Sequence, residues 1–371
     1  LPITSYPLPI TSYLLPLTHY LLPITHYPLP ITYYLLPMPI HLNRRKFIRY
    51  CTTVFSGSLL LKACSNNNNQ SSTTANDNEA FKIAIALPGA ITDKAWNQSG
   101  YEGVQLARQQ IGGETAFLEQ IPQAEQTEVL TDFARKNYNL VFAHGGQFDA
   151  AIQQVAPQFP NRFFIAVNGA IQGDNIAALR INHQQASYLC GIVAASMTKS
   201  NQIAYIAGQK FAATEEELRG LELGAKSVNP NIKVSSTFTG DWNDASKAKE
   251  ATLALISAGA DVVYQWLDNA SPAVLQTAAE KGVYAFGNTK DQLEIAPKAV
   301  LTSAVKRMDL AIAYIAELAK NKQLKGEIYK IGLEKSDILS LGKFGDMVPE
   351  DVQKKVLDAK QGILDNQITI G

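Results

Sequence analysis

Cysteine is scarce in this chain of 371 residues, which has only Cys51, Cys64 and Cys190. Three widely separated thiols exclude a disulfide framework and a cysteine-built zinc site. No run reaches the ~18 apolar residues of a membrane-spanning helix. Acids are missing from the start of the chain, where the first carboxylate is Asp77. Overall, 33 Lys+Arg balance 33 Asp+Glu. Residues 1–64 hold five of the basic groups, so 28 basic against 33 acidic groups remain, a charge of −5. A mildly acidic body without a basic patch argues against nucleic-acid binding, which depends on clustered Lys and Arg. G-x-S-x-G, H-E-x-x-H and Walker A sequences are likewise absent.

What is present begins with a repeat. Leu1-Pro-Ile-Thr-Ser-Tyr-Pro7 recurs as heptads opening at Leu8, Leu15, Leu22 and Leu29. Its prolines break helices, so the period of seven is not a coiled coil. A seven-nucleotide DNA repeat returns to frame after seven codons. Residues 1–37 are therefore expected to be untranslated repeat, with Met38 as the start. Residues 38–63 then read as a signal peptide: basic Arg44-Arg45-Lys46, an apolar run ending Leu59-Leu60-Leu61, then Lys62-Ala63-Cys64. The paired arginines resemble a twin-arginine signal, the general secretory route being the other option. Leu61–Cys64 resembles a bacterial lipobox, which makes Cys64 the expected lipidation site. Residues 64–79 would be a polar tether, on the order of 20 Å as coil. The expected location is the cell envelope, membrane-anchored and facing the periplasm or exterior.

From Phe81 onward, short apolar runs alternate with amphipathic stretches. Strands are expected at 81–87, 116–121, 140–143, 163–167, 176–181, 203–206, 233–238, 262–264, 283–286 and 301–303. Helices are expected between them, from 96–110 to 272–281. This alternation predicts an α/β fold with parallel sheets covered on both faces. Leu140–Asp149 and Val262–Asp268 echo each other, so two doubly wound lobes with a crevice at their strand ends are expected.

All three tryptophans, Trp96, Trp242 and Trp266, fall just past predicted strands. Such positions suit a clamp for a flat ligand. Beside them lie Asp93, Asn97, Gln147, Phe148, Asp268, Thr289 and Asp291, and the polar members can hydrogen-bond a heterocycle or hydroxyls. Asp93, Asp149 and Asp244 each precede a helix, and capping alone suffices for the last two. His144 ends a strand and is a candidate ligand contact. His183 begins a helix, as a cap or hinge residue. Cys190 reads as a core thiol. Lys306 follows a strand and on these grounds alone reads as surface.

Four blocks carry a resemblance in order: Ile91–Gly103, His183–Gly191, Gly240–Glu250 and Leu301–Lys306. They resemble the basic membrane protein family, the purine-nucleoside-receptor-like lipoproteins of ABC uptake systems. The resemblance implies a type I periplasmic-binding-protein fold, two lobes joined by three crossovers. It also implies lobe limits of 80–182 plus 288–322, and 183–287 plus 323–371. By position, Trp96 matches the aromatic stacking on the base, with Asp93 and Asn97 its polar neighbours. Trp242 matches the aromatic on the ligand's other face, and Lys306 the crevice lysine. Where nucleoside binders have Asp-Ser-Asp, this chain has Thr289-Lys290-Asp291, and Asp268-Asn269 resembles a branch that binds free purine bases.

The resulting expectation is a monomeric, cofactor-free ABC substrate-binding lipoprotein for a purine base or nucleoside. Its partners would be a permease, an ATPase and the membrane through its lipid. A tethered sensor feeding a signalling partner would use the same fold. A nucleoside-processing enzyme is disfavoured, because no closely spaced aspartates near the start of the body could hold its metal.

Overall fold

The computed structural model describes residues 80–93 and 96–370. The heptads, the signal segment, Cys64 and the tether all lie outside them.

The first sheet is built from β1 (Lys82–Ala86), β2 (Glu114–Leu118), β3 (Leu140–His144), β4 (Phe163–Val167), β5 (Ile176–Ile181) and β11 (Ile328–Ile331). The second is built from β6 (Gln202–Ala207), β7 (Lys233–Phe238), β8 (Val262–Trp266), β9 (Tyr284–Thr289), β10 (Val300–Lys306) and β12 (Leu339–Leu341). Their orders are β2-β1-β3-β4-β5-β11 and β7-β6-β8-β9-β10-β12, the same winding twice. All pairs are parallel except β12, which runs antiparallel to β10.

Among the described residues nine α-helices cover these sheets: α1 (Trp96–Ile111), α2 (Gln126–Arg135), α3 (Asp149–Val155), α4 (His183–Met197), α5 (Ala212–Val228), α6 (Ala245–Ser257), α7 (Ser271–Lys281), α8 (Met308–Lys320) and α9 (Glu350–Leu364). Alternation along β1 shows why its apolar run is continuous. Ile83, Ile85 and Leu87 enter one core and Ala84 and Ala86 another, as expected of a parallel strand buried on both faces.

The chain crosses between lobes three times: at Asn182, at Arg307, and over residues 332–338. The crossings are laced together where the Asn182 amide donates to the Ile331 carbonyl (2.8 Å) and the Arg307 amide to that of Ile338 (2.8 Å). The expected lobe limits need correction. β10 and the end of β9 belong to the second sheet, so residues 288–306 fall in lobe 2. β11 completes the first sheet, so residues 328–331 fall in lobe 1. The reason is geometric: β10 pairs parallel along β9, with one register shift between Val300 and Thr302, and the crossing comes only after Lys306.

Candidate ligand-binding site

In both sheets the strand order reverses at the first strand, and ligands of such folds bind outside the carboxyl ends beside that point. The loops there carry the tryptophans. Asp93 starts helix α1: its carboxylate accepts from the amides of Asn97 (2.8 Å) and Gln98 (3.0 Å) and from Asn97 Nδ2 (2.7 Å). Asn97 Oδ1 in turn accepts from the Gly89 amide (2.9 Å), which ties the β1 loop to the helix. Asp93 is thus a cap as well as a site neighbour.

Trp96 lies flat on His144, with centroids 4.0 Å apart and planes at 21°. His144 is fully buried, and its Nε2 lies 2.8 Å from the Trp96 carbonyl. A carbonyl only accepts, so Nε2 carries the proton. Burial, opposed by the Trp96 carbonyl and by Asp93, pulls the imidazole pKa down to about 4. The ring is therefore neutral at pH 7, and its buried Nδ1 has no hydrogen-bond partner among the described residues.

The second lobe supplies a cluster of rings. Trp242 meets Trp266 edge-on at 6.3 Å and stacks with Phe211 at 6.4 Å. The Trp242 carbonyl accepts from the Asp268 (3.0 Å) and Ala270 (3.3 Å) amides, pinning two loops together. Asn269 Nδ2 donates to Asn243 Oδ1 (2.9 Å) and to the Asp93 carbonyl (2.9 Å), the latter joining the lobes across the crevice. Burial, and then the charge of Asp93, push Asp268 up to about 7, with Lys306 opposing.

Lys306 is not a surface residue. Its ammonium sits 3.5 Å from the Trp266 ring centroid and pairs with Glu217. Glu217 Oε1 also accepts from the Tyr264 hydroxyl (2.7 Å) and from Asn288 Nδ2 (3.2 Å). Burial lowers the Lys306 pKa while Glu217 holds it up. His183 packs on Trp266 at 4.7 Å, and burial followed by the Lys306 charge keeps its pKa well below the ordinary histidine value.

The other expected residues differ in setting. Phe148 is wholly buried in the outer core of lobe 1 with Ile152 and Val155, because the helical turn after Gly145 rolls it inward. Asp291 is engaged within the protein, its carboxylate accepting from Ser303 Oγ (3.2 Å) and the Lys343 amide (3.1 Å). Gln147 is exposed, its amide lying over Gly145. Thr289 has φ 68°, a genuine outlier for a β-branched residue, and its hydroxyl turns to Asn288 Oδ1 (3.3 Å). Asp244 caps α6 as expected. Asp149 instead binds the Ala170 amide at 2.9 Å. Cys190 is buried.

Two residues were not anticipated. Phe211 is 54% exposed, large for a phenylalanine, and it sits past β6 as Trp242 sits past β7. Glu217 is hidden in Glu215-Glu216-Glu217, which looks solvated. The helical spacing Thr214, Glu217, Leu221, Gly224 nevertheless puts it on the buried stripe. Among the described residues no group of three or more His, Cys, Asp or Glu could hold a metal, and no helix is long and apolar enough to cross a membrane.

The strand-end loops thus bring rings and hydrogen-bonding groups together. Residues 80–371 match the family model of PnrA-like ABC transporter substrate-binding proteins. The transcriptional activator protein Med of Bacillus subtilis is 28% identical, over 82% of this chain and 92% of its own length. A purine-binding protein of Brucella abortus is 28% identical, over 76% of this chain and 80% of its own. The fold is that of an ABC solute-binding protein from Aeropyrum pernix, with a TM-score of 0.68 at 19% identity, covering 78% and 92% of the two chains. The family model is one of substrate-binding proteins and not of enzymes, and the chain belongs to this Bmp family of PnrA-like ABC transporter substrate-binding proteins.

Proposed function

We propose that this protein binds a purine, as base or nucleoside, between Trp96 of one lobe and Trp242 of the other. The observation that carries the reading is the placement of aromatic rings from both lobes at the strand ends beside Asn97 and Asp268. A purine needs flat apolar faces for its rings and hydrogen-bonding groups for its edge, and offset stacking adds roughly 0.5–1.5 kcal/mol per aromatic pair beyond burial. The 28% identical Brucella abortus protein, named for purine binding, supports the same ligand class. Family membership supplies the context, an ABC uptake system with permease and ATPase subunits.

A thermal-shift screen over purine bases and nucleosides tests the ligand. At 100 times Kd a true ligand adds about 2.7 kcal/mol of stability, and a flat profile across all of them refutes the proposal. Membrane attachment through a lipidated Cys64 is part of the proposal, supported by the order basic, apolar, Leu61–Cys64. Cys64→Ser should move the protein into the soluble fraction, and an unchanged membrane fraction would count against lipidation. The likeness to the activator Med supports a second reading, a tethered sensor whose ligand state passes to a partner.

A further inference from the structure

A lysine at the strand end of a binding crevice would ordinarily offer three donors and a positive charge to ligand hydroxyls or anions. Lys306 is arranged differently. Its side chain is 4% exposed and that of Glu217 is 0% exposed. The ammonium is shared between the Glu217 carboxylate and the face of Trp266. Glu217 comes from helix α5 and not from a crevice loop, and Tyr264 and Asn288 hold its Oε1 in place. Its Oε2 is buried and has no hydrogen-bond partner among the described residues. A carboxylate kept in such a place carries a desolvation cost that its partners must offset. What it achieves there is to neutralise and tether one cation. The neighbouring Thr289 adds no outward group, since its hydroxyl is turned to Asn288.

We propose that Glu217 is a specificity-determining residue: by holding Lys306 beneath the Trp266 indole it withdraws the ammonium from the crevice and selects a free purine base over its nucleoside. The inference rests on the purine reading above and names the subclass. A base offers a flat ring that an indole can cover. A nucleoside adds sugar hydroxyls that must leave water, and a hydroxyl buried without a partner lowers affinity. With Lys306 bonded to Glu217 and roofed by Trp266, its charge is engaged within the protein.

Calorimetric titration of the full chain with adenine, adenosine, hypoxanthine and inosine tests this. The parent should bind at least one base tenfold or more tightly than its nucleoside. Glu217→Gln should cut that ratio about tenfold, chiefly through tighter nucleoside binding, and Glu217→Asp should restore it. Trp266→Ala removes the roof while leaving the ion pair. It should narrow the ratio through tighter nucleoside binding, a gain that lost stacking on the base cannot produce, and it carries the test if circular dichroism shows Glu217→Gln unfolded. Equal parent affinity for base and nucleoside, or a ratio unmoved in every folded variant, overturns the role of Glu217 and leaves the purine reading standing. A parent that binds none of the four compounds overturns both.

Discussion

At the scale of single residues, the site depends on where three indoles are held and what lies behind them. Trp96 rests on a neutral His144, and Trp242 rests on Gly208, where an added Cβ would come within 2.3 Å of the indole. If the two rings hold the ligand from opposite sides, Trp96→Ala and Trp242→Ala should each weaken purine binding by about 2–4 kcal/mol, the range of buried aromatic anchors. Gly208→Ala should reproduce much of the Trp242 loss with the ring still present, because the indole must move. Titration calorimetry measures the losses, and the tryptophan emission of Gly208→Ala should shift without ligand. Parent-like affinity in both alanine variants would remove the clamp. The three tryptophans were legible from sequence because so few were present and all followed apolar runs. Lys306 was legible only through the family resemblance, and Glu217 was not, since an ion pair between residues 306 and 217 is set by how β10 and α5 pack.

At the scale of elements, α4 and α5 are pressed together until their backbones touch. A Cβ at Gly224 would lie 1.9 Å from the Tyr188 carbonyl oxygen, and one at Gly191 would lie 2.3 Å from that of Leu221. Backbone cannot yield as a side-chain tip can, so Gly224→Ala must push the helices apart. Overpacking costs about 1–3 kcal/mol, against roughly 1 kcal/mol gained in helix propensity. A net loss of about 1 kcal/mol predicts a Tm roughly 2–4 °C lower. Gly240→Ala is the control: its Cβ would meet no neighbouring atom, though its φ of 80° adds local strain. An unshifted melting curve for Gly224→Ala would mean that the helices pack less closely. Strands such as Leu140–His144 and Val262–Trp266 were legible because both their faces are apolar. Ile328–Ile331 and Leu339–Leu341 were not: they are short, polar or half-exposed, and owe their strand character to the edges they join. The sheet to which β10 belongs was equally hidden, since no local pattern records which neighbour a strand pairs with.

At the scale of the molecule, two carboxylates set the conditions for closure. Asn269 bridges to the Asp93 carbonyl across the crevice, and the same approach brings Asp268 toward the charge of Asp93. In this arrangement Asp268 titrates at about 7, and separating the lobes would remove the Asp93 contribution and lower that value. The closed form binds the proton more tightly, so it is favoured at acid pH. That advantage is lost as pH rises through 7. Ligand-free protein should therefore have a larger radius of gyration at pH 8 than at pH 5 by small-angle scattering. Asp268→Asn should hold it at the compact value throughout. A radius independent of pH in the parent would show that Asp268 does not govern closure. Ligand N–H groups facing the carboxylate would favour its charged form and offset the cost at neutral pH.

The three crossings also bear on how the molecule comes into being. Lobe 1 needs α8 and β11 to cover and flank its sheet, and lobe 2 needs β12 and α9. All four elements are encoded after Arg307. A nascent chain that has emerged only as far as Lys306 holds every tryptophan of the site, yet neither lobe has its full complement of strands and helices. Vectorial synthesis thus offers no stage at which one finished half waits for the other, and ligand affinity should arise only as the final segment is released.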